Sequence, residues 1–130
     1  MEIEKALKKL GSQKKAKILA RFFKTGKGEY GEGDKFIGVT VPNQRIVAKK
    51  FIDADLSTVK KLIDSEVHEY RLTGLLILTY QYPKASEDVR REIIDFYLKN
   101  AKRVNNWDLV DLSAPKLLGQ FILDNPKERK

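Results

Sequence analysis

Apolar positions along this chain recur at spacings of three and four residues, the periodicity of helices that bury one face. Residues 2–10 read as a short first helix closed by Gly11, and Ser12 is placed to cap a second over residues 13–24. Residues 25–41 interrupt the pattern with five glycines. Within them, residues 36–41 have the β-propensity of one short extended segment, with nothing evident to pair with it. Pro42 suits the first turn of a third helix, expected to run to Ala54. Asp55 or Ser57 starts a fourth, through about Ser65. Residues 68–82 form the most apolar stretch, with Leu72, Leu75, Leu76, Ile77, Leu78 and Tyr80, and are expected to be the central helix, stopped by Pro83. Ser86, with Glu87 and Asp88 behind it, opens an amphipathic helix to about Val104. Asn105 or Asn106 caps a further helix from Trp107, and Pro115 marks a new start or a kink before residues 117–123. The polar tail, 124–130, is expected to fray.

These elements make the chain all-α. Helices pair antiparallel at 42–54 with 55–65, 68–82 with 86–104, and 107–113 with 115–123, a period within the range of HEAT-like repeats. No repeat is visible in the sequence itself. A chain of 130 residues is expected to form one domain, 1–130, with a core of its own. It has no cysteine, which excludes a disulfide framework, a thiolate zinc site and a cysteine nucleophile. With one histidine, His68, a His-rich metal centre is not expected. No apolar run is long enough to span a bilayer, and the acidic start Met1-Glu2-Ile3-Glu4 lacks the order of a signal peptide, so a cytoplasmic protein is expected.

Charge changes the picture more. The formal net charge is +8, and residues 1–50 carry all of it, with 13 basic and 5 acidic residues; the remainder is balanced. Between Lys5 and Gly28 stand nine bases and no acid. At about 100° per residue, Lys14, Lys17, Arg21 and Lys24 share an arc of about 80°, while Ile18, Leu19, Ala20, Phe22 and Phe23 occupy the opposite side, with Lys15 intruding. The second helix is therefore expected to show a basic ridge and bury an aromatic-aliphatic face. Such one-sided charge serves a polyanion, nucleic acid first. The plainer alternative is a solvated face that keeps a small protein soluble.

Three groups of residues bear on chemistry. Gly26-x-Gly28-x-x-Gly31 has the letters of a dinucleotide loop, but a helix precedes it and no strand–loop–helix unit surrounds it. No cofactor is expected; the glycines allow tight turns that bring Lys27, Lys35 and backbone N–H groups toward phosphate. His68, beside Glu69 and Arg71 at a helix start, reads as a structural hydrogen-bonding group. Trp107 and Asp111 are one turn apart on one helix face, whereas Asp108 points away. One reading makes Trp107 a core anchor, with Asp108 or Asp111 a cap or a partner of Lys102 or Arg103. The other pairs an indole face with a carboxylate. The indole attracts a positively charged alkylated purine, and the carboxylate stabilises the sugar cation formed as that base leaves.

The run from Phe22-Phe23-Lys24-Thr25-Gly26 through Lys35-Phe36-Ile37-Gly38-Val39, then Val41-Pro42, resembles the N-terminal hallmark of the DNA alkylation repair family, the AlkD-like glycosylases. His68-Glu69-x-Arg71 and Asn106-Trp107-Asp108-Leu109-Val110-Asp111 resemble that family's later motifs, in the same order. The resemblance implies a HEAT-like right-handed solenoid, an α-α superhelix, whose basic concave face holds double-stranded DNA. It implies a monofunctional glycosylase acting on N3- and N7-alkylated purines without metal or cofactor. By the same resemblance Trp107 is the aromatic contact and Asp111 the catalytic carboxylate. Lys14, Lys17, Arg21, Lys24, Lys27 and Lys35 are the candidate DNA-binding residues. Family members continue further and draw a second active-site tryptophan and a DNA-contacting arginine from that part. Trp107 is the only Trp here, so this chain is expected to match the N-terminal half, with activity incomplete or lost. An exposed last helix pair bearing Leu117, Leu118, Phe121 and Ile122 is then expected to self-associate as a homodimer. The alternatives are a non-enzymatic nucleic-acid-binding module of the same fold, or a helical scaffold for an acidic protein.

Overall fold

In the computed structural model, residues 2–22, 35–100, 117 and 121–122 are described. Among them the regular elements are all helical: α1 (Glu2–Lys9), α2 (Gln13–Phe22), α3 (Val41–Lys50), α4 (Leu56–Ile63), α5 (His68–Gln81) and α6 (Glu87–Lys99), with a 3-10 turn at Tyr82–Lys84. None of these helices is long and apolar enough to cross a membrane.

Helix α5 is the axis of the packing. Every residue from His68 to Thr79 is buried, as expected of a helix apolar on most sides. α3 and α4 both pack extensively against it. Three pairs of contacts ascend together along α3 and α5: Gly38 with Glu69, Gln44 with Thr73, and Ile52 with Gln81. The two helices therefore run in the same direction. Close approach of α4 uses Gly74, where a Cβ atom would lie 3.2 Å from Leu62 Cβ and 3.3 Å from Ile63 Cγ1. Leu62, Leu72, Leu75, Leu76, Ile77 and Leu78 are all at most 1% exposed, and each such side chain contributes roughly 1.5–3 kcal/mol through its transfer from water.

Helix ends follow local chemistry. Asp55 caps α4, its carboxylate accepting the Thr58 N–H at 2.8 Å and the Ser57 hydroxyl at 2.9 Å. The backbone bond from Thr58 and the side-chain bonds hold the Asp55 carboxyl below its ordinary pKa. Ser86 caps α6 by accepting the Val89 N–H at 3.3 Å. Pro83 falls in the 3-10 turn that follows α5.

Helix α3 ends at Lys50 rather than at Ala54. The Gln81 side-chain amide donates to the carbonyls of both Ile52 and Ala54 at 2.7 Å, holding them in a turn that reverses the chain into α4. Helix α6 also stops early, at Lys99 instead of Val104. Asn100 there donates its side-chain N–H to the Phe96 carbonyl at 2.8 Å and accepts from Lys60 Nζ at 2.7 Å, so it closes the helix and ties it to α4. Of the four residues expected on a self-associating end, Leu117 is fully buried and Phe121 is 8% exposed, whereas Ile122 is exposed. Leu117 and Phe121 belong to the same core as α5, and the Arg91 guanidinium lies 5.3 Å over the Phe121 ring. Leu118 lies outside the described residues.

Candidate nucleic-acid interface

Helix α2 contains no acid, and Lys14, Lys17 and Arg21 are exposed along it. None of the three forms an ion pair among the described residues. The ridge expected from the sequence is thus presented to solvent as far as Arg21. The expected burial of the opposite face is not found at Ile18, which is 57% exposed, and Leu19 is only half-buried. The reason is how α2 is attached: it makes no extensive packing contact with another described helix. Among the described residues, the hydrogen bond that ties it to another segment is at its N-terminal end.

That attachment is a close backbone junction. The Ser12 N–H donates to the Ile37 carbonyl at 2.8 Å. Gly11 and Gly38 allow the two strands of chain to touch. A Cβ at Gly11 would lie 2.5 Å from the Ile37 carbonyl oxygen, and one at Gly38 would lie 1.9 Å from that of Ser12. Gly38 also has φ +82°, a conformation that residues with a side chain rarely adopt.

The segment on the other side of this junction is secured by Glu69, on the first turn of α5. Its carboxylate is 1% exposed and accepts three successive backbone N–H groups. Gly38 donates at 2.8 Å, Val39 at 3.1 Å, and Ile37 to both oxygens at 3.1 and 3.2 Å. Gln44 of α3 donates to the Val39 carbonyl at 2.9 Å. One residue earlier the extended segment is paired, since Lys35 forms a parallel bridge with Val67. Lys35 N–H donates to Glu66 and accepts from His68 N–H at its carbonyl, at 3.0 and 2.8 Å. Residues 36–40 themselves form no bridge among the described residues, as expected from the sequence; the pairing stops at Lys35.

His68 is 2% exposed and stacks on Phe36 with ring centroids 4.7 Å apart. It is a structural residue, in accord with its reading from sequence. Arg71, 3% exposed, donates from Nη1 to the Ser65 carbonyl at 3.5 Å. Of the His68-Glu69-x-Arg71 motif, Glu69 and the His68 backbone hold residues 35–39, while Arg71 ties the start of α5 to Ser65. Lys35 is exposed but ion-paired with Glu66 at 3.0 Å. A solvated pair of that kind is worth at most about 1 kcal/mol, so a stronger anion readily competes for the lysine.

Lys24, Lys27, the Gly26/Gly28/Gly31 motif, Trp107 and Asp111 lie outside the described residues. Two features escaped sequence reasoning. The first is Glu69 as a clamp, for which an acid at the head of the most apolar helix was the available signal. The second is a pair of cations on α3, Arg45 and Lys49, set around Tyr80. Their spacing on an acid-free helix was legible, but the partner from α5 was not. A separate open groove of about 390 Å³ runs between the α3–α4 turn and α6. Its lining includes Asp53, Asp55 and Glu92 against Lys84, the wrong sign for a polyanion.

The basic ridge is thus an exposed, acid-free helix face joined to the rest of the described fold at the Ser12–Ile37 junction. No curated protein and no solved structure matches the chain. A family model does: that of the DNA alkylation repair enzymes, over residues 3–130. With motifs from both ends of the chain inside that match, this protein belongs to the DNA alkylation repair enzyme family, and DNA is the substrate class that membership implies.

Proposed function

We propose that the chain removes N3- and N7-alkylated purines from double-stranded DNA as a monofunctional glycosylase of HEAT-like, AlkD-type architecture, without metal or cofactor. The observation that carries the reading is the acid-free α2, with Lys14, Lys17 and Arg21 exposed and unpaired among the described residues of a DNA-repair family member. In this reading Lys24, Lys27 and Lys35, taken from the sequence, add to the phosphate contacts of that ridge. Support for the chemistry comes from the Trp107 and Asp111 pairing read in the sequence.

In the proposed reaction an alkylated purine carries a positive charge and is already a good leaving group. The C1′–N bond breaks, its electron pair departs with the purine, and the base leaves neutral. The Trp107 face attracts the cationic base before cleavage. The Asp111 carboxylate stabilises the sugar cation and orients a water, which adds at C1′ and releases its proton to solvent.

The test is release of methylated base from alkylated duplex DNA by the full chain. Asp111→Asn is expected to slow release about 10²–10³-fold, the usual effect of deleting one preorganised electrostatic group. Trp107→Ala is expected to weaken selection of the cationic base. Binding without any base release rejects the enzymatic reading in favour of a nucleic-acid-binding module. No binding at physiological salt rejects both and leaves the scaffold.

A further inference from the structure

A second group of cations lies apart from α2. Arg45 and Lys49 stand one turn apart on α3, whose sequence holds no acid. Tyr80, near the end of α5, reaches between them. Arg45 Nη1 donates to Tyr80 Oη at 3.0 Å, and Lys49 Nζ lies 5.5 Å from the centre of the Tyr80 ring. Neither cation makes an ion pair among the described residues.

The donors left over define what would fit. A guanidinium has five N–H groups, and the hydrogen bond to Tyr80 uses one. Because the Tyr80 oxygen accepts that bond, its own O–H is left to donate outward. Lys49 adds an ammonium. The cluster therefore offers several donors and two positive charges. Two like charges one turn apart also cost the helix a few tenths of a kcal/mol. An anion with several acceptor oxygens relieves that repulsion and satisfies the donors together. Among the described residues, nothing accepts the Tyr80 O–H.

We propose that Arg45, Tyr80 and Lys49 form a second binding point for the DNA backbone, gripping a phosphodiester on a mount made rigid by the packing of α3 on α5. The inference rests on the DNA reading above and adds a site that neither the basic ridge nor the Trp107–Asp111 pair includes.

The experiment is binding of a short fluorescein-labelled duplex, followed by anisotropy at 50 and 200 mM salt. Wild type is compared with Arg45→Gln/Lys49→Gln, with Tyr80→Phe, and with Lys61→Gln/Lys84→Gln, which removes the same charge from elsewhere. Thermal melts establish that each variant is folded. Each phosphate no longer neutralised lowers the affinity ratio between the two salts about 3.5-fold, so the Arg45/Lys49 variant, which gives up one phosphodiester, is expected to lose about 3.5-fold of salt sensitivity. Tyr80→Phe keeps both cations. It is expected to bind about tenfold more weakly, or worse, at both salts with the salt dependence unchanged, as loss of one charge-assisted hydrogen bond requires. Salt dependence in Arg45→Gln/Lys49→Gln equal to that of the charge-matched control overturns the site while leaving the DNA reading intact. A wild-type chain that does not bind duplex at either salt overturns both.

Discussion

Deleting the Glu69 carboxylate probes the part of the fold on which the basic ridge depends. Its two oxygens accept the N–H groups of Ile37, Gly38 and Val39 at 2.8–3.2 Å. Gly38 and Val39 are buried and Ile37 is half-buried. Glu69→Ala leaves all three donors without an acceptor. A buried donor stripped of its partner costs about 1–3 kcal/mol, and water can reach the half-buried one, so the total is expected to be about 3–5 kcal/mol. Glu69→Gln keeps the shape and one acceptor oxygen but turns an amide N–H toward the donors. It is expected to cost about 1–2 kcal/mol. Urea denaturation followed by far-UV circular dichroism measures both, with an unchanged urea dependence indicating the same folded and unfolded states. A loss below about 1 kcal/mol in Glu69→Ala would refute the clamp, because three orphaned donors cannot be that cheap. Equal losses in the Ala and Gln variants would show that charge, not acceptor geometry, holds the segment.

Gly38→Ala combines positive-φ strain, about 1–2 kcal/mol, with a Cβ 1.9 Å from the Ser12 carbonyl oxygen, and is expected to destabilise by at least about 3 kcal/mol. Gly11→Ala, facing the Ile37 carbonyl at 2.5 Å, should be less severe; thermal melts that leave Gly38→Ala within about 0.5 kcal/mol of wild type contradict the close junction. Tyr70 is 4% exposed, and its hydroxyl has no hydrogen-bond partner among the described residues. Tyr70→Phe is therefore expected to be neutral or stabilising by about 1 kcal/mol at neutral pH. Burial, with smaller contributions from the nearby Glu4 and Glu69 charges, raises the Tyr70 phenol above its ordinary pKa of 10.0. The unfolded chain thus gives up this proton first: stability is full below pH 10 and falls as pH rises beyond it, and Tyr70→Phe should flatten that alkaline limb in pH-dependent melts.

Helices whose boundaries are set by their own residues were legible in the sequence. Ser86 and Asp55 cap where short polar side chains normally do, Pro83 follows α5 at once, and the unbroken run of apolar residues marked α5 as central. Boundaries set from a distance were not. The stop of α3 depends on Gln81, 27 and 29 residues away from the carbonyls it binds. The end of α6 involves a lysine on α4. Similarly, the amphipathic pattern of α2 correctly placed its cations outside, but pattern alone does not supply the partner that would cover Ile18. As for the site, the ridge through Arg21 was readable from charge, and His68 from its solitary position. The Arg45–Tyr80–Lys49 cluster needed the register of α3 against α5, which no local pattern encodes.

The junction also explains why an all-helical fold keeps a buried carboxylate at the start of its central helix. Residues 37–39 run extended through a mostly buried region, so their backbone groups need partners that neither a helix ladder nor a full sheet provides. One bridge to Val67 serves Lys35 only. Beyond it, side chains stand in for the missing strand, with Glu69 taking the N–H groups and Gln44 the Val39 carbonyl. A carboxylate is suited to this because it accepts several hydrogen bonds at once and offers no donor of its own. The positive φ of Gly38 helps turn successive N–H groups toward one point, as in the backbone concavities that bind anions. Here the anion is the protein's own, delivered by α5. The consequence reaches the surface, because α2 is tied to this segment by the Ser12 hydrogen bond to Ile37 and makes no extensive packing contact with another described helix. Among the described residues, the direction in which Lys14, Lys17 and Arg21 face thus rests on a buried carboxylate on another helix, which links the geometry of the core to the electrostatics of the surface.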